Sequence, residues 1–185
     1  MEYSLNDTWT LYLHYKDLGT NYNENLEKLM EIDNIQTFWQ TYNNIPSILD
    51  LFSDGVNIKK IKRNNSTPCA YSIFKNGISP CWEHPDNKSG FEFSIKTTYN
   101  FNKMQSDWLN SMICVIGNKG NAYECINGVR VVDCTKYNSV VYRLEFWVND
   151  LSKKDEVENL LRSNDFEFKK VKFMFRTHDN VKETV

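Results

Sequence analysis

A single α+β domain is predicted, with one curved antiparallel sheet of about eight strands backed by three helices, and three observations predict it. Apolar and polar residues alternate in several short runs, the period of a strand with one buried face. Three other runs space their apolar residues three and four apart, the stripe of a helix lying on a core. Short polar turns join successive strand runs, which favours antiparallel pairing with the helices gathered on one side. The 185 residues are enough to bury a core without disulfides or metals. The expected division is one domain over 1–185, with a short tail at 1–8, an enlarged basic loop at 46–69 and a polar tail at 178–185.

Trp9, Leu11, Leu13 and Tyr15 alternate with Thr10, Tyr12 and His14 and give the first strand. Residues 17–25 are polar, contain Gly19 and carry a single ring, Tyr22, which either lies on its own strand ends or meets a ligand. A second strand follows over 26–32. Asp33 or Asn34 caps a helix to Asn44 whose stripe is Ile35, Phe38, Trp39 and Tyr42. Trp39, at the edge of that stripe, either completes the core or anchors a partner. Residues 46–69 read as a loop, 70–75 and 90–95 as strands, and 104–116 as the longest helix, stopped by Gly117. Residues 123–132 and 139–147 form a hairpin around a turn with Lys136, 153–163 a third helix on Val157, Leu160 and Leu161, and 166–176 a last strand or two.

A net charge of −2 means that any polyanionic ligand is held by a local basic patch, which argues against tracking a long duplex. Aromatic residues reach 14%, a content that suits stacking. Five cysteines without a C-x-x-C pair, and an opening without a signal segment, point to a reducing, cytoplasmic compartment. No apolar run is long enough for a transmembrane helix, so no membrane role is expected. His14, His84 and His178 are not at metal-ligand spacing, so neither metal nor cofactor is expected. Heavy Asn and Lys use is that of AT-rich coding, and a viral source would place the protein in its host's cytoplasm.

The stretch richest in chemistry is Gly77-Ile78-Ser79-Pro80-Cys81-Trp82-Glu83, where glycine and proline turn the chain and set a large ring beside a carboxylate. Trp82 is either a core residue with a solvated neighbour or a stacking platform for a base. In the second case Glu83 accepts two N–H groups from one base edge, the edge that guanine offers.

Trp9-Thr10-Leu11-Tyr12-Leu13, Phe38-Trp39-Gln40-Thr41-Tyr42-Asn43, the Phe-Lys-x-Gly-Ile-x-Pro-x-Trp-Glu string at 74–83, and Trp108 to Gly117 together resemble the cap-binding translation initiation factor 4E family in order and spacing. The resemblance covers roughly 9–178. It implies a cupped sheet backed by three helices, holding the 7-methylguanosine cap of messenger RNA. A base methylated at N7 is cationic, so each aromatic face adds a cation–π contribution of roughly 0.5 to 2 kcal/mol. The resemblance makes Trp82 one stacking ring and Tyr22 the other, Glu83 the acceptor of the guanine N–H groups, and Trp147 the contact of the N7-methyl group. The main initiation factors have Trp where Tyr22 stands, and Tyr there is similar to the 4E-homologous class.

Arg143 matches a basic position of the family's phosphate clamp, and Lys136 or Arg130 substitutes for the Arg that the family has before it. On the helical face Trp39, Ile35, Leu109 and Leu5 would receive the Tyr-x-x-x-x-Leu-hydrophobic helix of a scaffold factor 4G-like protein or of a 4E-binding repressor. Asn110 stands where the family usually has an acid. Lys59, Lys60, Lys62 and Arg63, on the enlarged loop, are expected to reach the nucleotides after the cap. The implied function is non-enzymatic recruitment of capped messenger RNA to translation by a monomer. The alternatives are a cap-binding repressor and, from another class, a cap-processing enzyme, for which no phosphate loop or metal-binding acidic cluster is present in the sequence.

Overall fold

The computed structural model describes residues 3–16, 22–52, 66–98, 101–117, 120–136, 139–163, 168 and 171–179, with backbone alone for 22, 23, 97, 98, 101 and 121. The strands are β1 (Ser4–Lys16), β2 (Leu26–Asn34), β3 (Thr67–Lys75), β4 (Phe91–Thr98), β5 (Ile126–Asp133), β6 (Val141–Val148) and β7 (Met174–Thr177). They form one sheet in the order β2-β1-β3-β5-β6-β4-β7, antiparallel throughout. The helices are α1 (Ile35–Asn44), α2 (Ile48–Leu51), α3 (Pro85–Lys88), α4 (Phe101–Gly117) and α5 (Lys154–Leu161). Among the described residues no helix is long and apolar enough to cross a membrane.

Period-two alternation divides the sheet into two faces. Trp9, Leu11 and Leu13 of β1, Tyr71 and Ile73 of β3, and Leu144, Phe146 and Val148 of β6 join the core with Phe38, Met104, Trp108, Met112 and Val157 of the helices. The intervening residues Arg143, Glu145 and Trp147 on β6 and Glu92, Ser94 and Lys96 on β4 point to the other face. Most of that second face is nonetheless buried, with Glu145, Ser72 and Phe74 fully enclosed.

Asn34 is the cap of α1: its backbone is extended and its side chain accepts from the Thr37 amide at 2.7 Å, which settles the choice against Asp33. Two expectations need correction. Residues 46–69 are not wholly loop, because Ser47 and Asp50 close a capping box that starts α2, and β3 begins already at Thr67. The strand expected from Tyr123 starts at Ile126, since Gly120 at φ 81 sets up a 3-10 turn over Asn121–Cys125. Of the last strand or two expected over 166–176, β7 is described, and Phe168 and Phe173 pack against Phe146, Phe93 and each other. Among the described residues the sheet has seven strands, in keeping with the single antiparallel sheet of about eight that was expected.

Two positions on the second face set its stability. At Gly128, where the β5–β6 register shifts, a Cβ would lie 2.4 Å from Cγ of Phe74, whose ring meets Trp147 edge-on at 5.3 Å. Gly128→Ala is expected to cost about 1–3 kcal/mol and to lower the melting temperature, measured by calorimetry. Glu92 is 2% exposed, and its Oε2 has no hydrogen-bond partner among the described residues. Burial first, and then Glu145, push its pKa from 4.5 up to about 7 against the pull of Arg130, Arg143 and Arg176. Folding therefore takes up a proton between those values, and this contribution to stability is intact below about pH 4.5 and lost as pH rises through 7. The loss is on the order of 3 kcal/mol. Glu92→Gln should remove that fall, so urea denaturation at pH 5 and pH 8 should show a smaller drop in the variant than in the native chain.

Candidate functional site

The loop that presents Trp82 leaves β3 at a turn made by Gly77, whose φ of 85° suits glycine. The Ile78 amide donates to the Lys75 carbonyl at 3.0 Å, and Asn76 fixes the turn by accepting from the Gly77 amide and from Thr10. Asn87, 1% exposed, donates from Nδ2 to the carbonyls of Ser79 and Cys81, each at 2.9 Å. Its Oδ1 accepts from Asn127, and Asn127 Oδ1 accepts from Asn149 at 3.1 Å. His178 Nδ1 donates to the Asn87 carbonyl at 2.6 Å, and burial keeps this imidazole neutral by lowering its pKa. A chain of buried amides thus fastens the loop to β5 and to the segment after β6. Asn87, Asn127 and Asn149 were not legible as site residues, because nothing in their spacing marks an amide relay.

Trp82 is half-buried and Glu83 beside it is exposed. The Trp82 ring lies 6.2 Å from Trp147 at 17°, and the Arg176 guanidinium sits 4.3 Å above it. The ring therefore already engages a cation. Trp147 is 1% exposed and forms floor rather than wall: it is bounded by Phe74, the His178 ring at 4.8 Å and the Arg130 guanidinium at 5.2 Å. Tyr22 opens the 3-10 turn between β1 and β2, and its side chain lies outside what is described, so one of the two expected stacking rings is in view.

Beside Trp147 the fully buried Glu145 collects the basic residues. Its Oε2 accepts from Arg130 Nε at 2.7 Å and from Trp147 Nε1 at 3.0 Å, and its Oε1 accepts from Arg143 Nε at 2.5 Å and from Arg130 Nη2 at 3.3 Å. Burial alone would raise the pKa of this carboxyl, but Arg130 and then Arg143 hold it below the ordinary value, so Glu145 is an anion. Next along the face, His14 meets the Ser72 hydroxyl at 2.7 Å and is kept neutral by burial and by Arg130. Of the basic residues expected at a phosphate clamp, the structure brings Arg130 and Arg143 together. Lys136 stands exposed at the hairpin turn, bridged through its backbone to Ser139. Lys59, Lys60, Lys62 and Arg63 lie outside the described residues. Among the described residues no group of three or more His, Cys, Asp or Glu is placed to hold a metal ion.

On the helical side an apolar groove of about 230 Å³ is lined by Leu5, Ile35, Phe38, Trp39, Ile113 and Ile116, among others. Ile35, Trp39 and Ile113 are each about two-fifths exposed, and Trp39 meets Phe38 edge-on at 5.1 Å. Leu109, expected here, is half-buried against the core as Leu5 is, and Ile113 one turn later is among the residues that line this groove. Both residues lie on the same helix.

Comparison with known proteins gives one family. The family model described as eukaryotic initiation factor 4E matches residues 4–184. Eukaryotic translation initiation factor 4E of Homo sapiens is 29% identical over 127 residues, 66% of this chain and 51% of that protein. Factor 4E-1A of Danio rerio is 25% identical over 165 residues, 88% of this chain and 68% of that protein. The chain thus spans about half the length of the human relative. Among solved structures, Ascaris suum eIF4E-3 in complex with an m2,2,7G cap superposes with a TM-score of 0.75 at 20% identity, covering 100% of this chain and 96% of that one. Caenorhabditis elegans eIF4E-3 with the 4E-binding protein Mextli and a cap analogue gives 0.73 at 19% identity, covering 96% and 94%. These likenesses share the fold, and the family match over 4–184 shows that this chain belongs to the eukaryotic initiation factor 4E family.

Proposed function

We propose that this chain binds the 7-methylguanosine cap of messenger RNA on the Trp82 side of its sheet and a helical segment of a second protein on the Trp39 side. The observation that carries the first half is the cation over Trp82: a ring held by a buried amide relay, with a guanidinium at 4.3 Å and the exposed Glu83 carboxylate next to it. A methylated guanine brings a positive charge for that ring and two N–H donors for that carboxylate, whereas adenine offers no such pair of donors. Tyr22 is the second stacking ring in this reading, and Trp147 backs the N7-methyl group.

The second half rests on the groove at Trp39. An aromatic anchor two-fifths exposed, flanked by Ile35 and Ile113, suits the apolar face of a short helix such as Tyr-x-x-x-x-Leu-hydrophobic. The family setting supports this arrangement, since the Caenorhabditis elegans relative was solved with a 4E-binding protein. We take the role to be recruitment of capped messenger RNA to translation by a cytoplasmic monomer that acts by binding and not by catalysis. A repressor in place of a scaffold on the same groove would turn the same contacts into inhibition.

Two measurements check these halves separately. Calorimetric titration with 7-methyl-GTP is expected to show binding at least tenfold tighter than with GTP, and Glu83→Ala should lose about ten- to a hundredfold of it because two charge-assisted hydrogen bonds are removed. Equal affinity for the two nucleotides would refute the site. Trp39→Ala should abolish binding of a Tyr-x-x-x-x-Leu-hydrophobic peptide while leaving 7-methyl-GTP affinity within about twofold. Loss of both together would mean that Trp39 serves the fold.

A further inference from the structure

The cluster around Glu145 holds more information than the presence of two arginines. A guanidinium on a strand facing solvent samples many rotamers, and fixing it on a ligand costs side-chain entropy. Here two of them converge on one carboxylate that is fully buried. Arg130 reaches it from β5 with two nitrogens and is only 12% exposed at its side chain; Arg143 reaches it along β6 with Nε alone and is 25% exposed. Arg143 therefore keeps Nη1 and Nη2 uncommitted among the described residues. The Trp147 indole N–H occupies the remaining side of Oε2 at 3.0 Å, so the carboxylate cannot turn without breaking a bond. The register sets the arrangement: Arg130 lies directly across from Glu145, and Val132 across from Arg143, so both arginines share the face of the hairpin that carries the carboxylate.

We propose that Glu145 is a positioning residue, an internal anion that holds the Arg130 and Arg143 guanidiniums in place as a ready-made receptor for the phosphate chain of the nucleotide. This rests on the cap-binding reading above and deepens it. Its physical signature is a sign. If Glu145 were only a nearby negative charge, removing that charge would strengthen phosphate binding through Coulomb attraction. If it orders the guanidiniums, removing it releases them and phosphate binding weakens. Glutamine has one acceptor oxygen where the carboxylate has two, so Glu145→Gln cannot serve both arginines and the indole N–H.

The experiment compares the affinity gained on passing from 7-methylguanosine to 7-methyl-GTP, by calorimetry, in the native chain and in Glu145→Gln. The positioning role predicts that this gain shrinks by about tenfold in the variant. A gain that is unchanged or larger overturns it. Should Glu145→Gln fail to fold, Arg130→Lys keeps the charge but cannot make the two-point bond to Glu145, and the same shrinkage is expected; an unchanged gain again overturns the proposal. If the native chain binds neither nucleoside nor nucleotide, the cap reading fails by itself. Inorganic tripolyphosphate then tests the receptor alone, and it should bind the native chain several-fold more tightly than either variant; equal binding refutes it.

Discussion

A negative charge that water does not reach governs the Trp82 side of this sheet. An ionised carboxylate taken out of water costs several kcal/mol unless its lone pairs are met and its charge is balanced. At Glu145 both conditions are satisfied by residues that alternation places close by: Arg143 and Trp147 two positions away on the same strand, and Arg130 directly opposite on β5. Trp147 is thereby fixed by its ring N–H, Phe74 stands edge-on against it over Gly128, and Trp82 lies nearly parallel to it. The acid also has a long reach: it adds to burial in raising the pKa of Glu92 one strand further out.

The amide relay through Asn87, Asn127 and Asn149 complements that charge with neutral groups. Asparagine carries donors and an acceptor in one short side chain, so a row of three can pass hydrogen bonds inward without burying net charge. The loop carrying Trp82 is consequently held by its backbone carbonyls, while its half-buried ring meets Arg176 and the neighbouring carboxylate is exposed. Rigidity in the support and availability in the contact groups are what a preformed site requires.

Much of this was legible from residue order. Alternation in β1 and β6, the stripe of α1 with its Asn34 cap, the turn at Gly77 and the juxtaposition of Trp82 with Glu83 all follow from local rules, and the structure has them where those rules put them. Where residue order and structure part, the cause can be as local as one residue: Gly120 opens a 3-10 turn that delays β5 from Tyr123 to Ile126. Arg143, Glu145 and Trp147 were visible as one face of one strand, yet Glu145 became meaningful only when the pairing set Arg130 against it.

The distribution of indoles has an optical consequence. Of the five tryptophans, Trp9, Trp108 and Trp147 are sealed at 1% exposure, Trp82 is half-buried on the loop after β3 and Trp39 is two-fifths exposed on the groove. A change in emission caused by a small ligand therefore originates chiefly at one ring and a change caused by a docked helix chiefly at the other. With Trp39→Phe and Trp82→Phe as paired backgrounds, the chain carries an intrinsic two-channel reporter that can watch both surfaces in the same cuvette without a dye.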